Sequence, residues 1–210
     1  MVAKDSKTRL PISYRFIQSE TLREYDLIRQ KITEEGFVIQ AVTIDGRRGL
    51  YGLFEPLPVQ MCHFHQQQIM TRYLTRNPKS EAAKTLKRIA SYLGKVSECR
   101  FRYLLDAWHR RYEAFLEERT PDESKRRWHY THKRLRSAYR SLKNNLPYLF
   151  TYKRCPQLRI PNTTNALDGG LFSPLKDLLK VHRGIGDEMK KKLIVAYLEN
   201  LRIQQPKNPL

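Results

Sequence analysis

The sequence predicts a mixed α/β fold interrupted by an all-α insertion, and three observations carry that reading. The run at residues 37–44 is almost wholly apolar and rich in β-branched side chains, as a strand covered on both faces would be. A second strand-like run lies at residues 59–64, a short distance further on. From Asn77-Pro78 onward the apolar residues recur only at helical spacing, through three successive segments.

Element by element, residues 12–17 read as a strand, and residues 21–35 place Leu22, Tyr25, Ile28 and Ile32 on one helical face. Thr21 and Glu24 form a capping-box pattern, and Gly36 suits the stop. With 37–44 as the next strand, this is a strand–helix–strand unit. Asp45 to Gly49 is a loop, residues 50–54 a short helix, and Pro56 and Pro58 break the chain before the strand at 59–64. A helix over 65–75 then leads out of the sheet.

The insertion consists of helices over residues 80–93, stopped by Gly94, over 96–119, ended by Pro121, and over 124–144. In the last of these Trp128, His132, Leu135, Tyr139 and Leu142 alternate at spacings of four and three, which assigns Trp128, Leu135, Tyr139 and Leu142 to the core. Residues 149–152 return to the sheet, Thr163 or Thr164 caps a helix reaching about Val181, and a final helix runs from Asp187 to about Arg202. The expected divisions are 1–76 and 147–203 as the two parts of the core, 77–146 as the helical insertion, and 204–210 as a frayed tail.

Composition narrows the function. The 210 residues carry 40% hydrophobic side chains, 12 Tyr, 8 Phe and 2 Trp, enough apolar area to order the chain. The formal charge is +19, with a pI near 10.0, a field that repels itself unless a polyanion is at hand. Nucleic acid is the expected partner; no run of some 18 apolar residues offers a membrane span, and Met1-Val-Ala-Lys-Asp is no signal peptide. Three scattered cysteines, Cys62, Cys99 and Cys155, form no disulfide framework and point to a reducing, cytoplasmic compartment.

Two acids attract attention. Asp45 closes the strand at 37–44, where ligands of open α/β sheets bind, although an aspartate before glycine is equally a common turn residue. Asp168 stands at the start of a helix, where a carboxylate also favours the dipole, and is followed by Gly169 and Gly170. Glycines inside a helix cost roughly 1 kcal/mol each against alanine, so close approach of a phosphate backbone or of the sheet is expected there.

Between the acids, residues 125–143 hold eight Lys or Arg and no acid, interleaved with aromatics. Arg126, Arg127, Lys133, Arg134, Arg136 and Arg140, with His129, His132 and the loop residues Arg47 and Arg48, are the expected DNA contacts. Cys62 and His65, joined by His129 and His132, offer a four-ligand zinc set as a weaker alternative. A basic helical protein that binds structured RNA is a further one.

At these residues the chain resembles the bacterial insertion-sequence transposases of the Mutator-like branch, which have an RNase H-like catalytic core. The stretches that carry the resemblance begin at Ile44 (to Leu50), Pro58 (to Gln66), Arg72 (to Thr75), Trp128 (to Leu142) and Ile160 (to Gly170), and they run in order along nearly the whole chain. The resemblance implies a mixed sheet with flanking helices and a helical insertion. It also implies two divalent ions, Mg2+ or Mn2+, held by three acids, that activate water or a 3′-hydroxyl against a DNA phosphodiester. Asp45 matches the second acid, Asp168 the third, and Cys62 with His65 the Cys-x-x-His signature.

Two departures accompany it. The family's third acid is usually Glu, one methylene longer than Asp168. Residues 2–16 resemble the hairpin between the second and third strands, so the opening strand and first aspartate are expected to be missing and the RNase H-like sheet incomplete. Expected partners are DNA, as element ends and target, together with full-length transposase or a second copy of the chain; the expected location is the nucleoid. The chain is thus expected to be a transposase fragment that does not cut alone, or a remnant that only binds.

Overall fold

Where the polypeptide forms strands, it does so in short pairs. A computed structural model describes residues 1–122 and 127–203; Lys125, Arg126 and the tail 204–210 lie outside the described residues. The fold is mixed α/β, and among the described residues every sheet has two strands. The chain divides into two units, each taken by itself below. The first comprises Met1–Gln40, Gly49–Leu57 and the chain from Thr164 on, the second Ala41–Arg48 and Pro58–Thr163. The limits 77–146 of the expected insertion both fall inside the second unit.

In the first unit, β1 (Val2–Lys4) and β2 (Pro11–Tyr14) form an antiparallel hairpin. Its turn is built on Asp5, whose carboxylate accepts from the Thr8 amide at 2.8 Å and the Thr8 hydroxyl at 2.7 Å. Helix α1 (Leu22–Glu34) starts where Thr21 Oγ1 accepts from the Glu24 amide, and stops before Gly36, whose φ of +86° suits the left-handed turn. Ile28 and Ile32 are its buried residues. Helix α2 (Leu50–Leu53) follows the loop.

Further along this unit, α8 (Asn165–Leu167) widens into a π-helical turn at Asp168–Phe172 and continues as α9 (Ser173–Val181). Helix α10 (Asp187–Ile203) ends the described chain. The hairpin is tied to α10 by Tyr14 Oη, which donates to Glu199 at 3.2 Å, and by Arg202 Nε, which donates to the Pro11 carbonyl at 2.9 Å.

In the second unit, β3 (Val42–Ile44) pairs in parallel with β4 (Val59–Met61), in register Val42 with Val59. The strand expected over 37–44 is therefore cut to its last three residues; Phe37 and Val38 are exposed. The reason lies in the partner: β4 begins after Pro58, which has no N–H to extend the ladder, and among the described residues nothing pairs with 37–41.

Helices α3 (His63–Leu74), α4 (Glu81–Ala90) and α5 (Glu98–Glu117) follow, α4 and α5 capped by Ser80 and Ser97. Helix α6 (Lys133–Leu149) packs against α3 and completes a core in which Leu86, Phe101, Leu142, Leu149 and Phe150 are sealed from solvent. Burying side chains of that size stabilises by about 1.5–3 kcal/mol each. Trp108 joins them and donates its indole N–H to the Ala82 carbonyl at 2.9 Å, so the one polar atom of the ring is satisfied.

The expected helix over 124–144 is corrected. An antiparallel hairpin, β5 (Arg119–Asp122) and β6 (Arg127–Tyr130), occupies its first part, and α6 begins only at Lys133. Pro121 is suited to an edge strand and unsuited to a helix interior, and Trp128-His-Tyr-Thr favours strand geometry. Trp128, expected in the core, is 52% exposed, whereas Leu135, Tyr139 and Leu142 are buried as expected.

Residues 149–152, expected as a strand, are instead the end of α6 and the start of α7 (Thr151–Arg154). A side chain explains how this junction meets β4. Gln60, fully buried, donates from Nε2 to the Leu149 carbonyl at 3.1 Å and to the Met61 carbonyl at 2.7 Å, while its Oε1 accepts from the Tyr152 amide at 3.0 Å. Thr151 Oγ1 donates to the Val59 carbonyl at 2.7 Å. Groups left unpaired at a helix end are thus satisfied from β4 without a further strand.

Candidate nucleic-acid interface

Asp45 follows β3 directly, and its Oδ1 accepts from the Arg47 amide at 3.0 Å, the contact of a turn aspartate. Gly46 beside it adopts a φ of +87°, and the side chains of Arg47 and Arg48 are exposed. Asp168 is exposed at the start of the π-helical turn, and its Oδ2 accepts from Thr164 Oγ1 at 3.1 Å. A Cβ at Gly169 would meet nothing within 4 Å, and one at Gly170 only Lys4 Nζ at 3.8 Å. Packing among the described residues therefore does not demand either glycine, and the close approach of a strand is not what they accommodate.

Asp45 belongs to the second unit and Asp168 to the first. Among the described residues no group of three or more His, Cys, Asp or Glu is placed to hold a metal ion. A hard divalent cation requires several oxygen ligands around one point, and a lone carboxylate engaged by an amide or a hydroxyl does not supply them. Within each unit taken by itself the described residues do not fit a two-ion centre, so no step is derived through one.

The cysteine and histidines fare similarly. Cys62 is fully buried at the N-cap of α3, and His65 is half-buried with Phe64 against its ring. His132 stacks on Phe115 with ring centroids 3.6 Å apart, and its Nε2 lies 2.8 Å from a Glu118 carboxylate oxygen. The zinc set of Cys62, His65, His129 and His132 does not assemble, since His132 is already held by α5.

His63, which the sequence did not single out, is the histidine with a distinct environment. It is buried, and its Nε2 lies 2.7 Å from the Leu149 carbonyl; because a carbonyl only accepts, Nε2 carries the proton. Burial pushes its pKa below the ordinary value, outweighing that hydrogen bond; the Lys153 charge pushes the same way.

The basic segment splits into groups that are free to meet a polyanion and groups already used. Arg127, Lys133, Arg140 and Lys143 are exposed. Arg134 is exposed too, but a guanidinium nitrogen donates to the Arg72 carbonyl. Arg136 is the marked departure from expectation. Its side chain is only 13% exposed, its Nη1 donates to the Leu116 carbonyl and to Glu117 Oε1, each at 2.7 Å, and its guanidinium lies 3.6 Å from the Tyr130 ring centroid. It fastens the hairpin to α5 and is no outward contact.

No sequence pattern marks Arg119, a further cation of this surface. Its guanidinium sits 3.8 Å from the Trp128 ring centroid and 5.6 Å from that of Tyr130, so one hairpin face alternates cations with aromatic rings. A shallow hollow of about 410 Å³ is lined by Tyr73, Leu74, His129, Lys133 and Arg134 among others. A Pro121 at strand spacing from Arg119, opposite Trp128, was the available signal for a hairpin.

These features define a mixed α/β protein whose second unit presents a cationic, aromatic-edged surface along β5, β6 and α6. Compared with models of known protein families, with curated proteins and with solved structures, the chain matches none. No described helix is long and apolar enough to cross a membrane.

Proposed function

We propose that this chain is a DNA-binding part of a transposase of the Mutator-like insertion-sequence type, with an RNase H-like core, and that taken alone it binds DNA without cutting it. The observation that carries the binding half is the exposed set Arg127, Lys133, Arg140 and Lys143 in a stretch without a single acid, within a chain of net charge +19. The transposase half is supported by the ordered sequence stretches from Ile44 to Gly170, which include Asp45 and Asp168. The expectation of no cutting rests on the donors: Asp45 and Asp168 each have a local partner. DNA ends and target are the proposed partners, with a second copy of the chain or a full-length transposase as protein partners, and the nucleoid is the proposed location.

The test is fluorescence anisotropy with a labelled duplex over a range of salt. Four phosphates neutralised by those four side chains would give a log–log slope of roughly −3.6. A slope near zero would sink the binding half. Nicking or strand transfer with Mg2+ or Mn2+ that disappears in Asp45→Ala would overturn the claim that these residues cannot cut by themselves.

A further inference from the structure

Trp128 is a large aromatic residue that the fold does not bury. Of the two tryptophans, Trp108 is 3% exposed and Trp128 is 52% exposed. Two residues from Trp128, on the same face of β6, Tyr130 is half-buried and covered by Arg136, so the anchoring of the hairpin is already accomplished there. Arg119, which pairs in register with Tyr130, reaches diagonally to the indole and covers part of it. A cation stacked on one side fixes the ring and limits the rotamer freedom that a ligand would otherwise have to remove. More than half of the residue nevertheless remains open to solvent.

The surroundings say what chemistry suits that ring. The Arg119 guanidinium lies against it, and Arg127 and Lys133 are exposed nearby in sequence. An apolar protein partner would be poorly matched to a ring braced by a guanidinium. A nucleobase followed by its phosphate matches both parts, because every base has a π face and every linkage a negative charge.

We propose that the β5–β6 hairpin is a base-stacking element: the Arg119-braced indole of Trp128 takes an unstacked base of single-stranded or locally opened DNA, while the exposed Lys133 meets a neighbouring phosphate. This rests on the DNA-binding reading above and adds to it a contact that intact duplex does not offer. Duplex DNA keeps its bases stacked on one another, so it engages the cations and leaves the ring unused.

The test uses the whole chain and its own fluorescence, since the shielded Trp108 leaves Trp128 as the residue a ligand can quench. The probes are oligo(dT) of about ten nucleotides, within the length one such binding surface spans, an abasic strand of equal length, and a duplex. Oligo(dT) is expected to quench strongly, and the abasic strand, with the same charge and no bases, weakly. Trp128→Ala should weaken oligo(dT) binding about tenfold and leave duplex binding within twofold, while Trp128→Phe should retain most of the single-strand affinity.

Equal quenching by oligo(dT) and the abasic strand overturns the proposal. So does an equal loss of single-strand and duplex affinity in both variants, which would make Trp128 a brace for the hairpin. Absence of any salt-dependent duplex binding instead removes the DNA reading on which the proposal stands.

Discussion

Arg136 offers the sharpest test of how the cationic surface is divided. Replacing it with Met keeps a stem of similar length against α5 and removes the guanidinium. The Leu116 carbonyl, at the end of α5, then loses a charged donor 2.7 Å away, a loss of about 1.5–3 kcal/mol. The stacking of the guanidinium on Tyr130 at 3.6 Å adds about 1 kcal/mol, being partly shielded from water. Glu117, open to solvent, adds little after screening. The expected total is therefore about 3 kcal/mol.

Urea denaturation of Arg136→Met should show that loss, and amide exchange in β5 and β6 should quicken with it. The slope of DNA affinity against salt should not change. In Lys133→Ala or Arg140→Ala the pattern should invert, with stability within about 0.5 kcal/mol and a slope shallower by about 1. An Arg136→Met protein of undiminished stability whose salt slope drops as in Lys133→Ala would refute the division, because Arg136 would then be facing DNA.

The His63 environment gives a pH dependence. Its pKa is lowered in the folded chain, so below the ordinary value of 6.5 the unfolded state takes up a proton that the folded state resists, and stability should fall as pH drops from about 6.5 towards the folded value. His63→Gln, which keeps a donor for Leu149, should flatten that part of the profile; an unchanged profile would show that the histidine is not responsible. Millimolar Mg2+ or Mn2+ should leave the melting temperature unchanged, since among the described residues no group of three or more His, Cys, Asp or Glu is placed to hold an ion. A rise of several degrees that Asp45→Ala abolishes would reverse the fit argument. Gly169→Ala, in open helical backbone, should stabilise by about 0.5–1 kcal/mol; destabilisation would reveal a structural demand for glycine.

The sequence made some elements legible and hid others for identifiable reasons. Thr21, Gly36, Gly94 and the apolar spacing in α1, α4 and α5 mark those helices well, because caps and periodicity act within a few residues. The length of β3 was hidden because it depends on where its partner begins, at Pro58, fourteen residues after Ile44 in chain order (58 − 44). Trp128 and His132 continue the helical spacing of α6, which masks the hairpin although Pro121 is unsuited to a helix interior. Asp45 could be placed at a strand end from sequence alone. Which of the cations between Arg127 and Lys143 turns inward could not, since that depends on where α5 ends and not on the composition of α6. The distinction between His63 and His65 likewise lies in the approach of Leu149, 86 residues away.

Gln60 reaches across 89 residues to hold Leu149. The polypeptide from α3 to α6 thus leaves and re-enters at one seam, a ring held at its base by Gln60, His63 and Thr151. Length changes far from that seam would be felt less by the two parallel strands than exchange of the glutamine for leucine, which would remove one of the three ties at the base.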